Sequence, residues 1–437
     1  MKKLLLCFAV FGLLATSCEK DDNNFGRQFD GQPVAISTPG TLSQLLACYD
    51  PTTITELTII GNLNDKDITT LESFTNLAIL DMENANLRVL PDYALSYNKS
   101  LTSVQLPKTL KKIGADAFSG CSGLTSVTIP NSVTTIGDGA FAYCSNLACF
   151  YGIFASSDNR CLIVDNRLVS FAPAGLTYYK IPAGVTSIGH NAFFSCYDLT
   201  SVTIPDSVIT IGSFSFNYCY NLTSVTIGNG VTTIEASAFS TCRNLTQITI
   251  PNSVTTIEQQ AFENCSELTS VTIGNRVKSI GDSAFWNCSS LTNVTIGSSV
   301  STIGAGAFSN CGRLTGITIP NSVTTIEAHA FSDCSRLTDI TIPDNVTTIG
   351  KYAFRDCSSM TSVTIGSSVS TIGDFAFADC SILRVFTCRN LTPPSVGNNT
   401  FSGIAPSPVL YIPRFSWQSY KYAPGWSNFA ITAFDII

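Results

Sequence analysis

The chain has 437 residues, 44% of them hydrophobic, which is ample for a large core, yet only 13% are charged where about 25% is usual. Its surface must therefore be mostly Ser, Thr and Asn. A formal charge of −7 without any Lys/Arg-rich run offers no electrostatic footprint for a phosphate backbone, so no nucleic acid is expected as a partner.

At the N-terminus, Lys2 and Lys3 precede the apolar run Leu4 to Ala15, which is too short to span a bilayer and has the charge order of a secretory signal. Leu14-Ala15-Thr16-Ser17-Cys18 comes after it. Small residues before a Cys resemble the lipobox of bacterial lipoproteins, with Ala15 standing where a Leu is usual. The resemblance implies a signal peptide over residues 1–17, lipid attachment at Cys18 and a membrane contact through that anchor. An ordinary signal peptide cut near Ala15 is the alternative. More than one acyl chain would make the anchor stable, since each buried methylene adds about 0.8 kcal/mol. Glu19, Asp21 and Asp22 resemble the surface-export signal of Bacteroidetes lipoproteins, or they serve as a plain solvated tether over residues 18–33. The implied address is the outer membrane, facing the cell exterior.

Residues 34–100 come next, and ITELTIIGNLNDKDITTLESFTNLAILDMENANLRVLP keeps the Leu spacing of leucine-rich repeats without the Phe and Cys that mark the later coils. Those degenerate coils, with Val34 to Cys48 before them, fit a terminal cap over an open sheet edge.

From Leu101 to about residue 385 one phrase recurs. Cys196, Cys219, Cys242, Cys265, Cys288, Cys311, Cys334, Cys357 and Cys380 are each 23 residues apart, as are Cys121 and Cys144. A constant period in this range means a solenoid. Val127 and Ile129 alternate with polar Ser126 and Thr128 as in a strand; Ile136, Ala140, Cys144 and Leu147 then fall on one helical face. Breakers such as Pro130-Asn131-Ser132 and Gly228-Asn229-Gly230 mark the bends. The expected fold is an α/β solenoid, with a parallel sheet on one face, short helical turns on the other, and neighbouring strands about 4.8 Å apart. The unit LTSVTIPNSVTTIGDGAFAYCSNL resembles the BspA-type leucine-rich repeat of bacterial surface proteins. That resemblance implies a non-catalytic module that binds host matrix proteins or other cells.

Between Cys144 and Cys196 lie 52 residues where two periods need 46. Cys161-Leu-Ile-Val and Arg167-Leu-Val-Ser-Phe flank Asp165-Asn166, which reads as a hairpin inserted near residues 149–180 and projecting from the stack. Beyond residue 385 the period is abandoned, and residues 386–437 are similar to the tails of many Bacteroidetes repeat proteins, read as a C-terminal cap.

The recurring Phe, from Phe118 to Phe377, sits after a small residue at constant phase and reads as a core spine. Eleven cysteines form a parallel ladder of buried thiols, whose Cβ atoms point alongside one another rather than together. Cys149 and Cys161 could pair across the hairpin. The sequence has no C-x-x-C, and His190 and His329 lie six coils apart, so no metal, cofactor or catalytic group is expected.

Two surfaces remain as binding candidates. On the strand, the column beside the outward Thr row varies, and Gln247, Asn293 and Asp339 stand out in it. Tyr143, Phe194, Tyr197, Tyr218, Tyr220 and Trp286 occupy positions where other coils carry small polar residues. Tyr and Trp dominate binding hot spots and sugar-stacking platforms; otherwise these residues bed the hairpin onto the solenoid. A protein ligand on a surface adhesion module is the first reading. Glycan capture through the aromatic patch is the second, and a structural role in the envelope the third.

Overall fold

The computed structural model describes residues 28–427 and 429–434. Cys18, the signal-peptide reading and most of the acidic tether lie outside the described residues. The chain divides into two compact units, Met1–Leu162 and Ile163–Ile437. Among the described residues no helix is long and apolar enough to cross a membrane.

The first unit opens with Val34–Ile36, which pairs in parallel with Glu56–Asn62; that strand pairs with Ile79–Asp81, and that one with Ser103–Gln105. Two short helices, Leu42–Leu45 and Asp65–Leu71, sit among these coils. Asp67 ties them together. Fully buried, its carboxylate accepts the N–H groups of Gly40 (2.7 Å), Leu42 (2.9 Å) and Asn64 (3.0 Å). Asn64 completes a capping box on the second helix, so three backbone donors that would otherwise be orphaned converge on one side chain. A second wall of this unit pairs Val89–Leu90, Lys112–Ile113 and Thr135–Ile136 in register.

In the second unit the period is strict. A regular coil supplies a short strand such as Ser201–Thr203, bends, and supplies a second one such as Thr210–Ile211; the coil at residues 316–319 has only the second, Thr325–Ile326. Ten second strands, ending at Ser395–Val396, join Cys161–Val164 and Arg167–Phe171 in a twelve-stranded sheet, and the parallel ones pair residue for equivalent residue, as in Thr233↔Thr256↔Ser279. The first strands pair likewise but fall into separate groups, for example Gln247–Ile250, Ser270–Ile273 and Asn293–Thr295. Inward Val and Ile are buried while the Thr column faces out, as the period-two alternation predicts.

The solenoid, its period and its parallel sheet stand as the sequence indicates, but the helical turns do not. Among the described residues, α-helix occurs only at Leu42–Leu45, Asp65–Leu71 and Trp417–Lys421, outside the regular coils. The segment around each Phe instead runs flat, with two residues per coil in the left-handed region: Phe214 and Tyr218 (φ 55° and 60°), Ser237 and Thr241 (55° and 61°), Tyr352 and Asp356 (59° and 58°). This conformation turns alternate N–H groups toward the next coil. Phe216 donates to the carbonyl of Ala238, Phe239 to Ala261, and Phe262 to Ala284, each at 2.8 Å. The physical reason is thickness. Consecutive core Phe rings sit 4.7–5.4 Å apart through the second unit, whereas an α-helix with side chains is about 10–12 Å across. A left-handed non-Gly residue costs about 1–2 kcal/mol, and the three inter-coil hydrogen bonds per coil on this face offset that at about 0.5–1.5 kcal/mol each.

The Phe spine is buried, with adjacent rings nearly parallel, such as Phe239 and Phe262 at 5.2 Å and 6°. The cysteines behind it are buried thiols. Each regular thiol donates to the Phe carbonyl of the coil before, as Cys242 does to Phe216 (3.2 Å) and Cys265 to Phe239 (3.3 Å). Burial pushes the Cys265 and Cys334 thiols up to about 12, against a smaller opposing pull from backbone hydrogen bonds. Thiolate is therefore negligible at neutral pH in these two, which makes them chemically inert.

The hairpin does not project. Cys161–Val164 and Arg167–Phe171 form it, with Asp165 and Asn166 both left-handed (φ 49° and 62°), the geometry of a two-residue primed turn. Arg167–Phe171 pairs in parallel with Ser187–Ile188 and so belongs to the solenoid wall. Leu168, Val169 and Phe171 are buried, and the Phe171 ring lies 4.5 Å from that of Phe193. An apolar strand of this kind gains more by replacing a wall segment than by standing in solvent. Cys149 and Cys161 are both thiols, so no bridge spans the hairpin.

Candidate functional site

In the second unit, four of the six predicted aromatics come together on the turn face. Phe194 and Tyr218 meet edge to face at 5.6 Å, and Tyr218 and Tyr220 do so at 5.8 Å. Tyr197 and Tyr220, 23 residues apart, stack at 5.3 Å and 9°, and the Arg243 guanidinium lies 4.9 Å from the Tyr220 ring centre. The repeat explains the stack. Tyr197, Tyr220 and Arg243 share one phase, so each rests on its equivalent in the coil before. Tyr218 is 39% exposed and offers the most open ring of the four, held outward by its left-handed backbone.

The hairpin strand also seats an aromatic of its own on the core. Phe171 packs against Tyr179 (4.6 Å) and Phe193. Trp286 is half-buried at the phase of Phe194 but four coils further on, roughly 19 Å away by strand spacing. Tyr143 is half-buried in the other unit.

On the strand face Gln247, Asn293 and Asp339 are all exposed. Gln247 and Asn293 lie two strands apart in one group through Ser270. Asp339 belongs to another group, where the Thr338 hydroxyl donates to its carboxylate at 2.8 Å.

A second aromatic row escaped sequence reading. His329, Tyr352 and Phe375 stack at 4.7 Å and 5.1 Å, with interplanar angles of 15° and 7°, and Arg355 lies 5.7 Å from the Tyr352 ring centre. Its signal was present, since the three occur at intervals of 23, two places before the core Phe. Beside this row, Asp333, Asp356 and Asp379 repeat at one phase, and Arg355 reaches Asp356 at 3.0 Å and Asp379 at 3.7 Å. Burial raises the Asp356 carboxyl above its ordinary value; Arg355 opposes this, and the neighbouring aspartates add to it. Among the described residues no group of three His, Cys, Asp or Glu is placed to hold a metal ion.

The family model for the BspA type leucine rich repeat region matches residues 47–148, 168–292 and 278–405, with six copies. Among solved structures, a leucine-rich repeat protein from Bacteroides ovatus is 23% identical, with 96% of this chain and 98% of that chain covered at a TM-score of 0.54. One from Eubacterium ventriosum is 24% identical, covering 75% of this chain and 90% of that one at a TM-score of 0.53. A leucine rich cell surface protein from Faecalibacterium prausnitzii is 27% identical, covering 60% and 79% at a TM-score of 0.48. The first two share the fold of this chain. No curated protein matches the sequence.

Proposed function

The chain belongs to the BspA type leucine rich repeat family, and from that premise we propose that it is a non-catalytic cell-surface lipoprotein whose solenoid recognises a protein ligand, on host matrix or on another cell. Cys18 carries the lipid anchor in this reading, at an outer membrane and facing the exterior. Stacked coils present one long surface on which residues can vary without disturbing the core, which suits recognition of a large partner.

The observation that carries the choice of ligand class is the use of the ring faces. Tyr220 is flanked by the Tyr197 ring at 5.3 Å and by the Arg243 guanidinium at 4.9 Å. Sugar stacking needs an open ring face, and the repeat occupies both faces of Tyr220 with its own neighbours. Clustered Tyr side chains beside a guanidinium are the composition of a protein hot spot. Phe194, Tyr197, Tyr218 and Tyr220 are therefore assigned the anchoring role. Gln247, Asn293 and Asp339 on the strand face, with Tyr143 and Trp286, are assigned to peripheral contacts. Glycan capture is the second reading, favoured only by the more open ring of Tyr218.

The test presents the chain from residue 23 onward to matrix proteins and to a glycan panel. Saturable protein binding weakened at least tenfold by Tyr218→Ala with Tyr220→Ala is expected, about 1.4 kcal/mol or more. Glycan binding by the intact chain that this pair of substitutions abolishes would overturn the ranking.

A further inference from the structure

The C-terminal end of the solenoid differs in chemistry from the rest of the molecule. In a chain of net charge −7, residues 383–434 contain Arg384, Arg389, Arg414 and Lys421 and no Asp or Glu. The same segment holds the two most exposed aromatic side chains among the described residues, Phe415 at 93% and Tyr422 at 73%, and Trp417 beside them is 39% exposed.

The fold gathers these groups. Val385–Cys388 and Val409–Pro413 pair in parallel, Val385 opposite Val409, and continuing that register sets Arg389 beside Pro413, next to Arg414 and Phe415. The helix Trp417–Lys421 is fastened over this strand end by Tyr420, whose hydroxyl donates to the Cys388 sulfur (2.9 Å) or the Asn390 carbonyl (3.0 Å). Lys421 is held among the aromatics, with its ammonium 4.7 Å from the Trp417 ring centre and 5.2 Å from that of Tyr422. Arg389 keeps one long ionic contact, 4.0 Å to Asp344.

We propose that this end of the solenoid docks on an anionic lipid surface, with Phe415, Trp417 and Tyr422 entering the headgroup boundary and Arg389 and Lys421 meeting lipid phosphates. Two observations favour a lipid surface over a soluble polyanion. Phe415 has no polar atom on its side chain and is almost wholly in water, so only an apolar phase removes it from solvent. Lys421 also covers the rings a sugar would use, while aromatic rings set among Lys and Arg are the composition of a membrane interface. Cationic residues near an anionic leaflet add attraction that salt screens. This proposal does not depend on the aromatic patch of the protein-binding reading or on the anchor at Cys18.

The full chain is mixed with vesicles of brominated phosphatidylcholine containing phosphatidylglycerol, and tryptophan emission is followed. Bromine quenches only rings within the bilayer boundary, so the readout is local even where the N-terminus also associates with lipid. Quenching is expected that disappears in Trp417→Phe, falls sharply on vesicles lacking phosphatidylglycerol, and needs about tenfold more lipid in Phe415→Ser. Because Phe415 is exposed, that substitution leaves the fold intact, which unchanged circular dichroism would verify. Absence of quenching on the anionic vesicles overturns the proposal. So does quenching that survives Trp417→Phe, which would place another tryptophan at the lipid. Binding of heparin, unaffected by Phe415→Ser and without lipid quenching, would assign the surface to an anionic glycan instead.

Discussion

The interior coils of the second unit and its C-terminal end solve one problem in opposite ways. An interior coil satisfies its polar groups by translation: the Phe239 N–H finds the Ala261 carbonyl, and the Cys265 thiol the Phe239 carbonyl, because the next coil repeats the same residues. The last coils have no successor. There, single side chains with unique partners take over. The Asn390 amide donates to the carbonyls of Ser367 (2.9 Å) and Val369 (2.7 Å), the Trp426 indole N–H to Pro394 (3.0 Å), and Tyr420 to Cys388 or Asn390. Repetition thus spreads stability over many equivalent weak contacts, whereas a terminus concentrates it in a few irreplaceable ones.

That contrast yields a ranked set of substitutions. Trp426→Ala should have the largest effect, about 3–5 kcal/mol. Trp426 is fully buried and its ring meets those of Phe386, Phe401, Phe429 and Tyr420, so urea denaturation should show the end of the stack opening first. Phe262→Ala, in mid-stack, should cost a similar or slightly smaller amount, because rings on both sides can settle into the gap. A loss below about half a kcal/mol would mean the ring is not in the core. Asn390→Ala leaves the buried Val369 carbonyl without this donor, while water can reach that of exposed Ser367, and about 1–2 kcal/mol is expected; an unchanged denaturation midpoint would dissolve the contrast between interior and end. Ser237→Gly should be the smallest, a gain of under about 1 kcal/mol from relieving its left-handed backbone (φ 55°). A loss there would show that the Ser237 side chain matters more than its backbone.

The thiol ladder also predicts a pH dependence with a definite sign. Burial holds thiols such as Cys265, Cys334 and Cys380 protonated up to about 12, from an ordinary value of 9.0. Above pH 9 the unfolded chain therefore releases protons that the folded chain keeps, and stability falls as pH rises from 9 toward 12. Each such thiol contributes about 1.4 kcal/mol per pH unit over that window. Thermal unfolding between pH 8 and 11 should show a steep decline that becomes shallower in Cys265→Ala. Equal slopes for the two proteins would mean the ladder thiols ionise freely.

Much of this was written in the sequence, because translation makes a single residue's environment visible many times over. The spine from Phe118 to Phe377, the thiol ladder and the outward Thr column each repeat at fixed phase, and the structure places them accordingly. The far face was misread for a physical reason. Ile136, Ala140, Cys144 and Leu147 face inward on any chain that turns one side to a core, so helical spacing alone does not distinguish a helix from a flat turn. The distinguishing sign was the phase before each Cys, where Asn264, Asn287, Asn310, Asp333, Asp356 and Asp379 are the residue types that tolerate left-handed backbone. Hairpin placement and the grouping of strands depend on contacts that do not repeat, and such contacts leave no periodic trace. The aromatic patch was half legible. The residues were visible as departures from the repeat, but the mutual occupation of their ring faces required coordinates.

Hydrogen exchange across one missing rung tests coil stacking most directly. In Phe262→Ala, the amides of Phe239 and Phe285, one coil away on either side, should lose protection along with residue 262. Phe239 donates to Ala261, next to the substitution, and residue 262 donates to Ala284, next to Phe285. Protection at both neighbours that equals the unsubstituted protein would mean each coil stands alone, and a stacked solenoid would be ruled out.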